Sequence, residues 1–336
     1  MSQTPPQVVQ PDWRPAADWA TLRLRAEWLT QVRAFFAARG VLEVETPALS
    51  AAALPDPHLH SFSVRYCGPG RPAGQTLYLH TSPEFAMKRL LAAGSGCIYQ
   101  LARVFRDGEA GRRHNPEFSL LEWYRVGFDH HALMAEVAEL VTMLLKGRLS
   151  LAIPEHWTYR DLFQHHLDLD PHQATVAQLH ACAQRHGISI PPQMPADAVD
   201  PWLDLLLTHC IEPTLGQGRL TFLYDYPASQ AALARLRPTL PPVGARFELY
   251  LHGVELANGF HELCDAVEQR RRFMAENMAR QRLGRSVLPI DEHLLAALAA
   301  GLPECAGVAL GFDRLLMLAT GKTTIQEVMA FPIDRA

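Results

Sequence analysis

The sequence predicts an α+β fold, mainly antiparallel strands flanked by helices. Two patterns carry this reading. Apolar runs at 97–105 and 117–124, and again at 245–251 and 254–260, are paired across turn-rich linkers, the signature of two β-hairpins. Long stretches with apolar residues three and four apart, at 21–39 and 130–146, lie outside those hairpins and read as helices.

Residues 1–15 are rich in Pro and Gln without periodicity and read as a flexible tail, with order beginning near Trp19. Residues 21–39 follow as a helix through Leu22, Trp28, Leu29, Val32, Phe35 and Phe36, with Gly40 at its C-terminal end. Residues 41–44 alternate apolar and acidic before Thr46-Pro47, a short strand ended by proline. The Pro- and Gly-rich stretch 54–74 is a loop with one strand near 62–66. A strand at 76–80 leads to Ser82-Pro83-Glu84, a helix start with Pro in its first turn, and a helix over 85–91.

The hairpin 97–124 and the helix 130–146 come next, then a helical insertion around 155–215 broken by Pro171, Pro191, Pro192, Pro195 and Pro201. Strands are expected at 219–226, 245–251 and 254–260, the last two joined by a tight turn at His252-Gly253. A charged helix at 266–283 and a strand at 307–310 running into a helix at 313–319 complete the chain.

Composition narrows the function. The 336 residues are 48% hydrophobic, enough for a large core, and 31 Lys plus Arg against 35 Asp plus Glu give a net charge of −4. That balance lacks the basic footprint of a protein that grips nucleic acid by its phosphates. Six scattered cysteines, none in a C-x-x-C pair, read as reduced thiols. The start MSQTPPQVVQ has neither the cationic nor the apolar part of a secretory signal, and no apolar run approaches a membrane span. A cytoplasmic protein is expected.

Three segments carry chemistry. The hairpin YQLARVFRDGEAGRRHNPEFSLLEWYR, residues 99–125, sets Arg106, Arg112, Arg113, His114 and Asn115 against Glu117, Glu122 and Tyr124. In FELYLHGVELANGFHEL, residues 247–263, a turn at His252-Gly253 pairs Leu251 with Val254 and makes Glu248 face Ala257, so Glu248 and Glu255 share a face. Two adjacent carboxylates repel unless a cation lies between them, and Mg²⁺ favours one or two carboxylates plus substrate phosphates. In GVALGFDRLLMLATG, residues 307–321, Gly307 and Gly311 allow close approach to a strand backbone beside Arg314. Each segment alone also has an ordinary reading: a solvated loop, an outward acidic edge, a strand-to-helix junction.

Together, RGVLEVETP, the FR…HNPEF hairpin, ELANGFHEL and GVALGFDRL resemble motifs 1, 2 and 3 of class II aminoacyl-tRNA synthetases, and among them the lysine enzymes. The resemblance runs from about Trp19 to the end, and motif 1 begins within the first fifty residues. No room is left for the anticodon-binding domain of those enzymes. The chain therefore resembles the free-standing paralogues of their catalytic domain, the elongation factor P (R)-β-lysine ligases, and residues 16–336 are expected to form one class II catalytic domain.

The resemblance implies the roles. Arg106 and Arg314 would be catalytic; Arg106, Asp107, Gly108, Glu109, His114, Asn115, Phe118, Glu255, Leu256, Gly311 and Arg314 would bind ATP, with Phe118 on the adenine. Ser82, Pro83, Glu84, Glu122, Tyr124, Asn258, Glu262 and Ala309 would bind lysine or (R)-β-lysine, and Glu248 and Glu255 would hold Mg²⁺. Elongation factor P is the implied protein acceptor, without stable tRNA binding or membrane contact. The motif 1 segment 29–47 resembles the class II homodimer interface.

Two departures stand out. Gly108 occupies the place of an adenine-contacting Glu in the tRNA enzymes, with Glu109 next to it, and Ala309 stands where lysyl-tRNA synthetases usually carry Gly. Other readings remain open at this point: a minimal tRNA-charging enzyme, or a regulator that keeps the fold without catalysis. The arginines at 270–272, 280, 282 and 285 read as a solvated helix face.

Overall fold

Asp18 starts the first helix by accepting the Thr21 N–H at 2.7 Å, a side-chain N-cap. The computed structural model describes residues 13–71 and 73–336, so the tail expected over 1–15 lies outside the described residues except for its last three. Helix α1 (Trp19–Ala37) buries Leu24, Trp28, Val32, Phe35 and Phe36 on one stripe. It leads through Gly40, whose φ of +64° suits glycine, to β1 (Leu42–Glu43). Strands β2 (Leu49–Ser50), β3 (Ser63–Tyr66) and β4 (Gln75–Leu79) form a small separate sheet, and α2 (Glu84–Ala92) follows.

Strands β5 (Ile98–Phe105) and β6 (Glu117–Val126) make the first long hairpin, followed by α3 (His130–Leu145), β7 (Ala152–Thr158), α4 (Tyr159–Leu167), α5 (Val176–Arg185) and α6 (Asp200–Leu206). Residues 155–158, expected at the start of the helical insertion, are strand: they pair in parallel with β8 (Arg219–Pro227). Strand β9 (Leu236–Arg237) precedes the hairpin β10 (Val243–Leu251) and β11 (Val254–His261), then α7 (Ala266–Arg282), α8 (Glu292–Gly301), β12 (Cys305–Gly311) and α9 (Phe312–Ala319). The turn between β10 and β11 has both central residues at positive φ, His252 at +52° and Gly253 at +65°, the conformation a two-residue hairpin loop requires.

The main sheet runs β1-β5-β6-β12-β11-β10-β8-β7 with β9 beside β10. Its interior pairs are antiparallel, and only the outer pairs β1–β5 and β7–β8 are parallel. One face carries Leu121, Trp123, Phe247, Leu249, Val308 and Leu310 against α1, α3 and α9. A second core gathers around Tyr159, Phe163, Trp202 and Leu206 in the helices between β7 and β8, and a third joins α2, α8 and Phe273. All six cysteines are free thiols. Among the described residues no helix is long and apolar enough to cross a membrane.

A buried polar joint ties these layers together. Asp313, 1% exposed at the start of α9, accepts the Ser119 N–H of β6 at 2.6 Å and Arg25 Nη1 of α1 at 2.5 Å. Arg25 also donates to Ser119 Oγ and lies over the Phe312 ring. Asp313→Ala strands a guanidinium and a backbone N–H, so we expect a loss of about 3 kcal/mol. A urea unfolding midpoint equal to that of the unaltered protein would contradict this account of the joint.

Candidate active site

Alternation along the strands decides which side chains meet. Residues 118, 120, 122 and 124 of β6 and 307, 309 and 311 of β12 face away from the large core, and Ala309 stands between Glu122 and Asn258 as cross-strand partner of both. A cavity of about 380 Å³ opens over this face. Its walls include Arg106, Glu109, His114, Asn115, Phe118, Glu255, Leu256, Asn258, Ala309, Gly311 and Arg314, residues from three separate sequence motifs. Asp107 and Gly108 are exposed and do not line it; the Asp107 N–H is donated to His60 O at 2.8 Å.

The cavity sets three cations, Arg106, Arg113 and Arg314, among the carboxylates Asp56, Glu109, Glu255 and Asp313. Arg314 donates to Glu255 O at 3.0 Å and to His114 Nε2 at 2.7 Å. Burial, reinforced by Arg314, holds the His114 imidazole below its ordinary value and therefore neutral, so that it can accept this bond. Arg106 lies over the Phe118 ring at 5.0 Å and 3.6 Å from Glu109 Oε1. The carboxylate one residue beyond Gly108 thus reaches the cavity wall. The Asn115 amide is engaged on both sides, donating to Glu117 O at 2.7 Å and accepting the Ile333 N–H at 3.1 Å.

Glu248 and Glu255 approach one another by a different register from the expected one. Leu251 does pair with Val254, but a bulge between Leu249 and Tyr250 moves Glu248 opposite Asn258 instead of Ala257. Glu248 accepts from Arg246 Nη2 and from Tyr250 Oη, both at 2.5 Å. Burial and the neighbouring Glu248 push the Glu255 carboxyl up, opposed by Arg314 and Arg246. Arg246, on the same strand as Glu248, escaped the sequence reading; its spacing of two from Glu248 on a strand was the available signal.

One residue pair further along β6 the character reverses to anionic. Glu122, Tyr124 and Glu262 are buried, and Glu84 opens α2 opposite them beside Ser82 and Pro83. Ser82 Oγ accepts the Glu84 N–H at 3.0 Å. Glu122 Oε1 has no hydrogen-bond partner among the described residues, and burial together with Glu84 pushes its carboxyl up to about 8. Tyr124 Oη donates to Glu122 Oε2 at 3.4 Å. Glu262 is raised by burial, with Lys88 pulling the other way.

Lys88 is the second residue that sequence reasoning missed, although an i, i+4 carboxylate–lysine pair on a helix is a visible pattern. Gly307 also differs from expectation: a Cβ there would stand 2.3 Å from the Tyr124 ring and 2.5 Å from Glu262 Oε1. The missing side chain makes room for the protein's own pocket wall.

Comparison with known proteins gives one direction. The family model of class II tRNA synthetases (D, K and N) matches residues 11–335. An elongation factor P--(R)-beta-lysine ligase of Vibrio cholerae is 53% identical over 325 residues, 97% of this chain and 99% of the relative. Proteins of the same name from Pseudoalteromonas translucida and Salmonella paratyphi A are 52% and 49% identical, each covering 96% of this chain and 98% of the relative.

The raised carboxyl has a consequence for stability. A carboxyl whose folded value exceeds its unfolded one stabilises the fold fully only below the unfolded value, about 4.5, and loses that contribution as pH rises through about 8. Glu122→Gln removes the titration. It is expected to stabilise by up to about 3 kcal/mol at pH 7, a rise of a few degrees in Tm, with the gain vanishing toward pH 5. Thermal unfolding across that range tests it; a shift that does not change with pH would contradict the environment assigned to Glu122.

Proposed function

The chain belongs to the class II tRNA synthetases, and from that premise we propose that it activates (R)-β-lysine, or lysine, with ATP and joins it to the ε-amine of a lysine of elongation factor P. One observation carries this reading: a cavity walled by Arg106, His114 and Arg314 lies beside two buried carboxylates, Glu122 and Glu262, with the half-buried Glu84 of α2 next to them. Buried carboxylates without cations are costly, so a ligand with two ammonium groups suits them. The printed names of the relatives support the protein acceptor and the β-isomer.

In the first step a carboxylate oxygen of the amino acid attacks the α-phosphorus of ATP and pyrophosphate leaves. Arg106 faces the α-phosphate and Arg314 the outer phosphates, where charge builds. Phe118 stacks on the adenine, Glu109 takes the role of the Glu that Gly108 replaces, and Asn115, Leu256 and Gly311 complete the nucleotide wall. In the second step the acceptor amine attacks the acyl carbon, AMP leaves, an amide forms and the amine loses a proton. Glu84 and Ser82 receive the amine nearer the carboxylate; Glu122, Tyr124 and Glu262 receive the terminal one, with Asn258 and Ala309 shaping the space between.

Glu248 and Glu255 suit Mg²⁺: both offer oxygen donors, and among the described residues no three His, Cys, Asp or Glu side chains converge to cage an ion alone, so phosphates would complete its shell. When bound, the ion neutralises phosphate charge. A homodimer through residues 29–47 would cover Leu42, which is 56% exposed. The setting is cytoplasmic, where elongation factor P resides, without stable tRNA binding.

Incubation of the protein with elongation factor P, ATP, Mg²⁺ and either lysine isomer should add one lysyl unit to the intact mass of elongation factor P, faster with (R)-β-lysine, and leave bulk tRNA uncharged. Charged tRNA beside unmodified protein would overturn the proposal in favour of a minimal synthetase. Glu262→Gln should raise the KM for the amino acid by about tenfold or more, a loss of at least one ion-paired contact, while ATP binding holds. Unchanged amino-acid kinetics would remove Glu262 from the pocket.

A further inference from the structure

A buried ammonium lies at the centre of the anionic pocket. Lys88, 2% exposed on α2, places Nζ 2.6 Å from Glu84 Oε1 one helical turn earlier and 2.6 Å from Glu262 Oε2 just beyond β11. It takes no part in the wall of the nucleotide cavity. Burial alone would strip its proton, yet Glu262 and Glu84 outweigh burial and hold the ammonium above the ordinary lysine value. The groups that face this pair are Glu122 and Tyr124 from β6, Cys305 from β12 and Glu276 from α7, with Arg106 adding positive charge at the cavity side. Two further cations stand nearby: Arg235, which donates to Glu262 O at 3.3 Å, and Arg272, beside Glu276.

We propose that Lys88 is a positioning residue for amino-acid recognition: its ammonium clamps Glu84 to Glu262, holding the two carboxylates at a set separation to receive the two amines of a diamino acid. The inference rests on the proposed function and deepens it. Two carboxylates forced together in a buried pocket repel, and one escapes the repulsion by taking a proton. A protonated Glu262 can no longer pair with an ammonium. With Lys88 present the repulsion is relieved from inside the fold and Glu262 is drawn back toward its charged form, whereas Glu122 has no such cation at hand. Once a bound ammonium displaces the Glu122 proton, three carboxylates against one resident ammonium leave two negative charges, matching the two ammonium groups of lysine or (R)-β-lysine.

The test is lysine-dependent ATP–pyrophosphate exchange from pH 7 to pH 9 with the full-length protein, Lys88→Met and Lys88→Arg, with nucleotide binding measured alongside. In Lys88→Met the KM for the amino acid should rise about tenfold or more at pH 7, and the ratio to the unaltered protein should shrink toward pH 9 as the unclamped Glu262 ionises. Lys88→Arg, which keeps the charge, should give a ratio that does not vary with pH. ATP affinity should stay within about twofold in both, since Lys88 is outside that cavity. A ratio near one at pH 7, or a raised ratio equally large at all pH in Lys88→Met, would overturn the clamp and leave Lys88 a packing residue.

Should Lys88→Met fail to fold, calorimetry of lysine binding to the unaltered protein in two buffers of different ionisation enthalpy decides the matter. Release of clearly fewer than two protons per lysine bound at pH 7 supports the clamp; release of two or more means that Glu262 stayed protonated despite Lys88, and overturns it. Absence of lysine-dependent exchange in the unaltered protein would overturn the proposed function itself, whatever the variants do.

Discussion

Side-chain alternation along five adjacent strands, β5, β6, β12, β11 and β10, is the constraint on which the rest of the molecule depends. Successive residues point to opposite faces, so Leu121, Trp123, Val308 and Leu310 enter the apolar core while Leu120, Glu122, Tyr124 and Ala309 line the other side. A slip of one residue between β6 and β12 would send Glu122 into the aliphatic core and Trp123 into the pocket. The core therefore holds the register, and the register holds the site. Alternation breaks twice on β10, between Gly244 and Phe247 against β8 and between Leu249 and Tyr250 against β11, and the second break lies next to Glu248 and changes its cross-strand partner.

Burying charge on that face is unfavourable unless each charge finds a partner, and the structure meets this in two ways. Arg246, Lys88 and Asp313 have close opposite charges: Arg246 on Glu248 at 2.5 Å, Lys88 between two carboxylates, Asp313 on Arg25. In each the Coulomb attraction at short range offsets desolvation. Glu122 is different. Burial and Glu84 push it up, no cation of the protein stands on its Oε1, and the carboxyl keeps its proton near neutrality instead. Desolvation wins there, and the same feature that weakens the fold as pH rises from about 4.5 to about 8 leaves an unmet demand for a cation.

Much of this was legible from sequence because the strong signals were local. The period-3.6 pattern found α1, which runs Trp19–Ala37, and the paired apolar runs with a turn at His252-Gly253 found both hairpins. What stayed hidden depends on contacts between distant segments. Strand β7 is short, half exposed and parallel to β8, and its residues Glu155, His156 and Trp157 alternate no more clearly than a helix start. Helix α8, rich in Ala and Leu, has little polar face to set its period. Lys88 and Arg246 carried no motif; a lysine on a helix and an arginine on a strand look like surface residues until the fold places Glu262 and Asn258 beside them. Gly307 was read as space for a ligand, because a sequence does not reveal that Tyr124 and Glu262 fill it.

The two ends of the site face differ in where their cations stand, and that difference has a direction. Arg106, Arg113 and Arg314 line the nucleotide-sized cavity beside Asp56, Glu109, Glu255 and Asp313, whereas Glu122 of β6, Glu262 just beyond β11 and Glu84 at the start of α2 converge around the ammonium of Lys88. A diamino acid would be favoured in this field with its carboxylate toward the arginines and its terminal amine toward Glu122 and Glu262. Reversal would set ammonium against guanidinium and carboxylate against carboxylate. Orientation is thus supplied before any hydrogen bond forms, and it delivers the carboxylate oxygen to the side where a phosphate would lie. The buried joint of Asp313, Ser119 and Arg25 then matters for chemistry as well as stability: Ser119 adjoins Phe118 and Asp313 adjoins Arg314. One ion pair keeps both walls of the cationic end in place relative to α1.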